Sequence, residues 1–360
     1  MKPGHRFPYK WRKTDLEKVS GHGHRVMSTF SCGGGSSFGY KMAGFDVVAC
    51  NEIDEEMMGL YQANHHPTYS YREPIQEFKA RDDLPDELFD LDILDGSPPC
   101  STFSMSACKG GGREARWGAQ KKFREGQAEQ RLSDLFFDYL DVVGKLRPKV
   151  AVAENVKGML TGKAKGYCKL IVERFDELGY DVQLFLLNAA HMGVPQSRER
   201  VFFVARRRDL GLPAIELEFD EKVITFEDVS EALPFQDTEG TATAKTLRFW
   251  HLVAPGSSLG TVAKDGKMFN WTKVAFKKPC NTLAGTSCLM HPGERRKLSW
   301  IEVCLCGSYP YDYDFLGCRN NLKLYCVGMS VPPVMTAQIA ARIAEQWFDV
   351  PAEQIDEAWS

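Results

Sequence analysis

The stretch "DILDGSPPCSTFS", Asp92 to Ser104, ends an apolar run with two prolines and a cysteine. A nucleophilic cysteine needs exposure and thiolate character. Pro98 and Pro99 stiffen the exit of the run and so present Cys100 in one orientation. The basic stretch behind it carries Gly110, Gly111 and Gly112 and reads as a loop that closes over a substrate. A second run, "AVAENVKGML", ends in Glu154 and Asn155, and a carboxyl beside a cysteine suggests acid chemistry on a bound ring. In "GVPQSRERVFFVARR", Arg198 and Arg200 stand at alternate positions entering a strand, so both point to one face and can bind an oxygen or a phosphate. "FSCGGGSSFG", Phe30 to Gly39, follows an apolar run and opens a helix, and its glycines let the backbone approach a cofactor. Glu52 ends the next run, where an acid can accept hydrogen bonds from ribose hydroxyls. The chain lacks the Gly-Lys-Ser/Thr of a phosphate-gripping loop.

These groups need a frame that brings them to one edge. "VMSTF", "DVVAC", "LDILD", "VAVAE" and "DVQLFLL" read as strands, with helical segments such as Leu132–Leu146 and Cys168–Leu178 between them. "RVFFVAR" follows after only a short connection and predicts a last, antiparallel strand. The pattern predicts an α/β domain, a mostly parallel sheet wrapped by helices, with ligands at the carboxyl ends of the strands. Residues 25–208 form that domain. Residues 1–24 are a polar, basic extension before it, and residues 209–295 form a second, smaller, loop-rich domain without βα alternation. Residues 296–360 return to the large domain, with an amphipathic helix at Val334–Trp347.

Composition narrows the classes. The chain has 360 residues, 43% hydrophobic and 26% charged, enough for a large buried core. No run is long enough to span a bilayer and no secretory pattern is present, which predicts a cytoplasmic protein without a membrane partner. The odd count of 11 scattered cysteines predicts free thiols. Cys304, Cys306, Cys318 and Cys326 have a poor zinc spacing, so no metal is expected. With a net charge of -3 the chain is not a polycation, and nucleic-acid binding must come from local patches. Candidates are Lys109–Arg116, Lys121–Arg124, Arg206–Arg208, Lys273–Lys278 and Arg295–Lys297, each of which could equally be a solvated face.

From Phe30 to about Ile343 the chain resembles the DNA (cytosine-5) methyltransferases. The resemblance rests on "FSCGGGSSFG", Glu52, "GSPPCSTFS", "ENV", "QSRER", "RKLSWIEV" and "GMSVPP", which stand in the family's order and spacing. It implies a Rossmann-like S-adenosylmethionine-dependent methyltransferase sheet and transfer of a methyl group to carbon 5 of cytosine in duplex DNA, with S-adenosylhomocysteine as product. Cys100 would add to carbon 6 of a flipped-out base, with Pro99 helping to position it. Glu154 would hold ring nitrogen 3, Arg200 the cytosine carbonyl oxygen, and Arg198 the closed loop. Phe30, Glu52, Ile75, Leu135 and Ser330 carry over as cofactor contacts, with Cys32, Gly34, Gly35 and Ile53 beside them. Residues 209–295 correspond to a target-recognition domain. The resemblance also implies a monomer, restriction-modification with an endonuclease partner, and a place at the nucleoid. Three positions depart from the family's pattern. Cys32 stands at the first glycine of Phe-x-Gly-x-Gly-Gly, Pro74 at an aspartate that meets adenine, and Met329 at the asparagine of Gly-Asn-Ser-Val-Pro. Competing expectations are the same chemistry on RNA, a non-catalytic DNA-binding relic, and a nicotinamide-dependent oxidoreductase. The last leaves Pro-Cys and Glu-Asn-Val unexplained.

Overall fold

A computed structural model describes residues 4–99, 120–121, 130–131, 135–161, 164–231, 248–262, 271–285 and 288–359. In chain order the strands are β1 (Arg25–Thr29), β2 (Asp46–Asn51), β3 (Tyr69–Tyr71), β4 (Ile93–Gly96), β5 (Gln120–Lys121), β6 (Gln130–Arg131), β7 (Val150–Val156), β8 (Tyr180–Asn188), β9 (Glu199–Arg207), β10 (Trp271–Lys273) and β11 (Cys288–Met290). Seven of them make the central sheet, in the order β3-β2-β1-β4-β7-β9-β8. β9 runs antiparallel to both β7 and β8, and the other pairings are parallel. The expected last antiparallel strand is therefore inserted one place in from the edge, and β8 forms the edge.

Both faces of the sheet are buried, and successive residues feed opposite cores, as period-2 side chains must. Val26, Ile93, Val152 and Phe202 point into one core; Met27, Leu94, Ala153 and Phe203 point into the other. The helices are α1 (Gly35–Met42), α2 (Glu55–His65), α3 (Ile75–Ala80), α4 (Leu135–Leu146), α5 (Ala164–Glu177), α6 (Phe226–Glu231), α7 (Trp300–Cys306), α8 (Asn320–Met329), α9 (Pro333–Trp347) and a short α10 (Ala352–Asp356). α4 and α5 supply Tyr139, Val143, Ile171 and Phe175 to the second core. α1 and α9 cover the first. They pack closely because Gly39 has no side chain: a Cβ there would lie 2.4 Å from the Pro333 carbonyl.

The periphery is joined to the core more closely than its composition suggests. Residues 4–24 are not an extension outside the core. Phe7 and Trp11 are fully buried, the Trp11 indole donates to the Ser308 carbonyl at 2.9 Å, and Arg6 pairs with Glu345 and Asp356. Two large aromatic rings outweigh the polar, basic composition around them. α9 is the expected helix and is buried over most of its surface: Val334, Ala337, Gln338, Ala341 and Ile343 are covered, while Arg342, Glu345 and Gln346 form a partly exposed polar face. The Trp347 indole donates to the Pro213 carbonyl at 3.0 Å. The described part of residues 209–295 shares the large domain's core and adds a small one. Ile215, Leu217, Phe226, Val274 and Leu283 belong to the first core, and Val253, Leu259 and Met290 make a small core of their own.

Candidate active site

The candidate residues gather at the carboxyl ends of the parallel strands and the amino end of β9. Parity decides which of them meet. Ser28, Asp95, Glu154 and Arg200 each lie two residues from a side chain in the α1-side core, so all four point to that face. Glu154 is opposite Phe202 and Arg200 is opposite Val156, which makes Glu154 and Arg200 diagonal neighbours across β7 and β9. The Arg200 Nε lies 2.7 Å from the Glu154 Oε1. Glu154 is only 9% exposed, so its charge is balanced by a fixed cation rather than by water.

Arg198 goes elsewhere. It is 2% exposed, and its Nη1 donates to the carbonyls of Leu283 at 2.7 Å and Gly328 at 3.1 Å. Burial, with the neighbouring Arg200 charge, pushes its pKa down to about 9. The two arginines share a strand face by sequence, yet Arg198 precedes β9 and ties two distant segments while Arg200 serves Glu154. Gln196 joins the same junction, donating to the Cys306 carbonyl at 3.2 Å and accepting from the Leu283 amide at 3.0 Å.

Asn155 fastens the exit of β4. Its Nδ2 donates to the Pro98 carbonyl at 3.0 Å, and its Oδ1 accepts from the Val156 amide at 2.9 Å. Pro99 follows, half-buried. Cys100, the triple-glycine loop and the side chains of Lys109–Arg116 and Lys121–Arg124 lie outside the described residues.

The turn after β1 is built from backbone. Phe30 and Cys32 both have left-handed φ values, 52° and 46°, a region that disfavours side chains bearing Cβ. Cys32 thus stands at a position whose backbone suits glycine, the residue the family pattern has there. Its amide donates to Glu52 Oε2 at 2.8 Å, while its Sγ lies 3.6 Å from the Met57 sulfur. The other Glu52 oxygen accepts from the Asp54 amide at 2.8 Å. Burial raises the Glu52 pKa to about 7 against the pull of these amides. Gly34 (φ 82°) begins α1, and Ile53 is half-buried beside Glu52.

Gly35 admits the "GMSVPP" turn, since a Cβ on it would lie 2.3 Å from the Val331 carbonyl and 2.8 Å from the Ser330 Cβ. Ser330 itself donates to the Cys326 carbonyl at 2.8 Å. Pro74 precedes Ile75 at the start of α3 and offers no side-chain cap. Ile75 is 3% exposed and Leu135, at the start of α4, is fully buried. Met329 is 39% exposed and turns toward Gly285.

Sequence reasoning missed Asp95. It was visible as the acid inside "LDILD", but its neighbours come from β1 and α1 and no local spacing announces them. The basic patches at the far end of the sheet are absorbed by ion pairs: Arg206 and Arg208 lie against Asp181, and Arg207 against Asp209. Lys277 pairs with Glu227, Arg296 pairs with the buried Glu302 at 2.7 Å, and Lys273 lies 3.5 Å over the Trp250 ring.

A mostly parallel sheet with a glycine turn and a buried acid on one side of its edge, and a buried acid–arginine pair on the other, defines an α/β fold whose candidate groups share one edge. The C-5 cytosine-specific DNA methylase family matches residues 24–345, and the chain belongs to that family. It is similar to the Type II methyltransferase M.NgoPII of Neisseria gonorrhoeae, 28% identical over 351 residues covering 89% of this chain and 95% of that one. It is similar to a comparable degree to M.FnuDI of Fusobacterium nucleatum, 28% identical over 353 residues covering 90% and 95%. The fold resembles that of a DNMT2 from Spodoptera frugiperda, with a TM-score of 0.63 at 18% identity over 89% of this chain and 99% of that one. A Schizosaccharomyces pombe Dnmt2 methyltransferase is also similar, with a TM-score of 0.59 at 16% identity over 89% and 98%. The protein is a DNA cytosine-5 methyltransferase. Enzymes of this family use S-adenosylmethionine.

The stretch Asn320–Trp347 is, among the described residues, long and apolar enough to cross a membrane, but its most apolar window is 83% buried within the fold. All nine described cysteines are free thiols.

Proposed function

We propose that catalysis divides along the sheet edge, with Cys100, Glu154 and Arg200 acting on the base and the β1–β2 end holding the cofactor. The observation that carries this reading is the Glu154–Arg200 contact, placed on the edge where Asn155 also fixes the Pro98 carbonyl. Carbon 5 of cytosine is a poor nucleophile. Addition of the Cys100 thiolate at carbon 6 gives carbon 5 enamine character, and charge accumulates on the ring and its carbonyl. Arg200 lies against Glu154 Oε1, and the second Glu154 oxygen would carry a proton to ring nitrogen 3, neutralising the charge that develops on addition, while the guanidinium would meet the base carbonyl. The Asn155–Pro98 bond holds the strand exit that presents Cys100. Arg198 acts from within, holding the Leu283 and Gly328 segments against the site.

The residues at β1 and β2 fit the cofactor. The Glu52 oxygens accept from the Cys32 and Asp54 amides, with the Ile53 amide also acting on the carboxylate, and the remaining lone pairs can accept from ribose hydroxyls. Phe30 is half-buried at the turn, where its ring can face adenine, and Gly34, Gly35 and Ser330 converge at the opening of α1. S-adenosylmethionine, when bound, supplies the methyl group. The reading is tested with duplex DNA carrying 5-fluorocytosine at the target, because fluorine blocks the final proton loss. A stable protein–DNA adduct is expected, and Cys100→Ala should abolish it. An adduct that survives in the variant removes Cys100 from its role, and an adduct formed on tRNA but not on duplex DNA moves the substrate.

Residues 209–295 are proposed to read the duplex and, with a cognate endonuclease, to define the system's target. Exchange of this segment for that of a relative of known target should transfer specificity. A folded, active chimera that keeps the original target overturns the assignment.

A further inference from the structure

Asp95 is a buried carboxylate to which the reaction above gives no task. It is 5% exposed, at the end of β4, five positions before Cys100. Three hydroxyls converge on it. The Ser36 Oγ, in the first turn of α1, donates to Oδ2 at 2.7 Å. The Ser28 Oγ, on β1, donates to the same oxygen at 3.0 Å. The Tyr40 hydroxyl, one turn further along α1, donates to Oδ1 at 3.3 Å. The residue's own carbonyl accepts from the Thr29 hydroxyl at 3.0 Å.

Such a carboxylate is costly to bury and is retained here on three donors from two other elements. Those elements are the two that flank the Phe30–Gly34 turn. Ser28 precedes the turn, and its carbonyl accepts from Ser31 Oγ at 2.8 Å; Ser36 follows it. Asp95 is paired with Ser28 on one side and with Val152, two residues before Glu154, on the other. It therefore stands between the turn and the Glu154–Arg200 pair, on the same face of the sheet.

We propose that Asp95 is a positioning residue, whose carboxylate locks the turn that holds the cofactor to the strand that presents Cys100. The hydroxyls donate best to the ionised form. Burial, with Glu154 nearby, pushes the Asp95 pKa up to about 6, against the pull of Ser36, Ser28 and Tyr40. The other titratable groups facing it are Tyr61 and Tyr139. Protonation removes an acceptor site from the cluster and loosens the turn. The lock thus fails as pH falls through about 6 and is complete well above it.

The inference rests on the placement of the cofactor at the Phe30–Gly35 turn, and the test separates the two. Calorimetry with S-adenosylhomocysteine, from pH 5 to 8, is run on the full chain and on Asp95→Asn, with Phe30→Ala as the control for the site. The expected result for Asp95→Asn is a Kd raised about tenfold at pH 7.5, with a pH profile that keeps the Glu52 loss centred near 7 and lacks the additional loss expected in the wild type as pH falls through about 6. Ser36→Ala serves if Asp95→Asn does not fold. Removing a donor raises the Asp95 pKa, so the loss of affinity should begin at a higher pH than in the wild type. In the Asp95→Asn background Ser36→Ala should add nothing. Wild-type affinity and wild-type pH profile in Asp95→Asn, with binding still lost in Phe30→Ala, overturn the proposal and leave the cofactor site in place. Wild-type binding that Phe30→Ala does not weaken overturns the site and the proposal together.

Discussion

The two ends of the sheet edge are built differently. At the β4–β7–β9 end the proposed chemistry is held by side chains bonded to one another or to carbonyls: Arg200 on Glu154, Asn155 on Pro98, Arg198 on Leu283 and Gly328. At the β1–β2 end the shape is carried by backbone: a left-handed turn, amides on Glu52, and glycines that admit neighbouring chain. Of the three departures from the family pattern, Cys32 and Pro74 fall at or beside the second end, and Met329 stands where the two meet, between Gly328 and Ser330. A charge that must meet a changing ring has no substitute, because another side chain puts the charge elsewhere. A turn defined by φ and by backbone donors tolerates a change of side chain as long as the conformation can still be reached.

The largest effect should come from breaking the side-chain end. Glu154→Gln keeps the size of the group and removes its charge and its contact with Arg200 as an ion pair. Single-turnover methylation should slow by about 10²–10⁴-fold, the scale of a positioned acid or base, with little change in DNA affinity. A rate within fivefold of wild type would make Glu154 a structural residue and erase the contrast between the two ends.

The backbone end should answer to pH instead. In the proposed reading ribose hydroxyls donate to the ionised Glu52, whose pKa burial has raised to about 7. Binding should therefore favour loss of a proton, and affinity for S-adenosylhomocysteine should rise from pH 6 to 8, by roughly tenfold at one pH unit below the raised value. Stability runs the other way. A carboxyl whose folded pKa lies above its unfolded value favours folding most at low pH, and that contribution is lost as pH rises through about 7. Calorimetry in two buffers of different ionisation enthalpy measures the proton released on binding. No proton release, with pH-independent affinity, would show that Glu52 is already ionised and that the backbone amides outweigh its burial.

The same division explains what could be read in advance. The strands of the large domain, their carboxyl-end ligands and the antiparallel β9 follow from local patterns, because a strand buried on both faces writes itself as a continuous apolar run. Glu154 and Arg200 were legible because each ends or begins such a run. Asp95 was not, since it looks like one more residue of "LDILD" until β1 and α1 bring Ser28, Ser36 and Tyr40 to it. The burial of Arg198 was not legible, because a two-residue period says which face a side chain takes and nothing about what covers it. Phe7 and Trp11 were hidden by the basic residues beside them, and the core that takes up residues 213–217 lies more than a hundred positions away, on α9.

The smallest effect should come from Cys32→Gly, and the opposing terms are of similar size. A Cβ in the left-handed region costs roughly 1–2 kcal/mol, which the substitution recovers. Glycine makes the unfolded chain freer, at a cost of about 0.4–1 kcal/mol, and the thiol's packing against Met57 is lost as well. Unfolding free energy should therefore move by less than about 1 kcal/mol, measured by urea denaturation. The amide that donates to Glu52 belongs to the backbone and survives the change, so affinity for S-adenosylhomocysteine should shift by no more than about threefold. A tenfold loss would mean that the thiol itself meets the cofactor. Cys32 would then be held, like Glu154, by what its side chain does, and the tolerance argued for this end of the sheet would fail at the position where it was most expected.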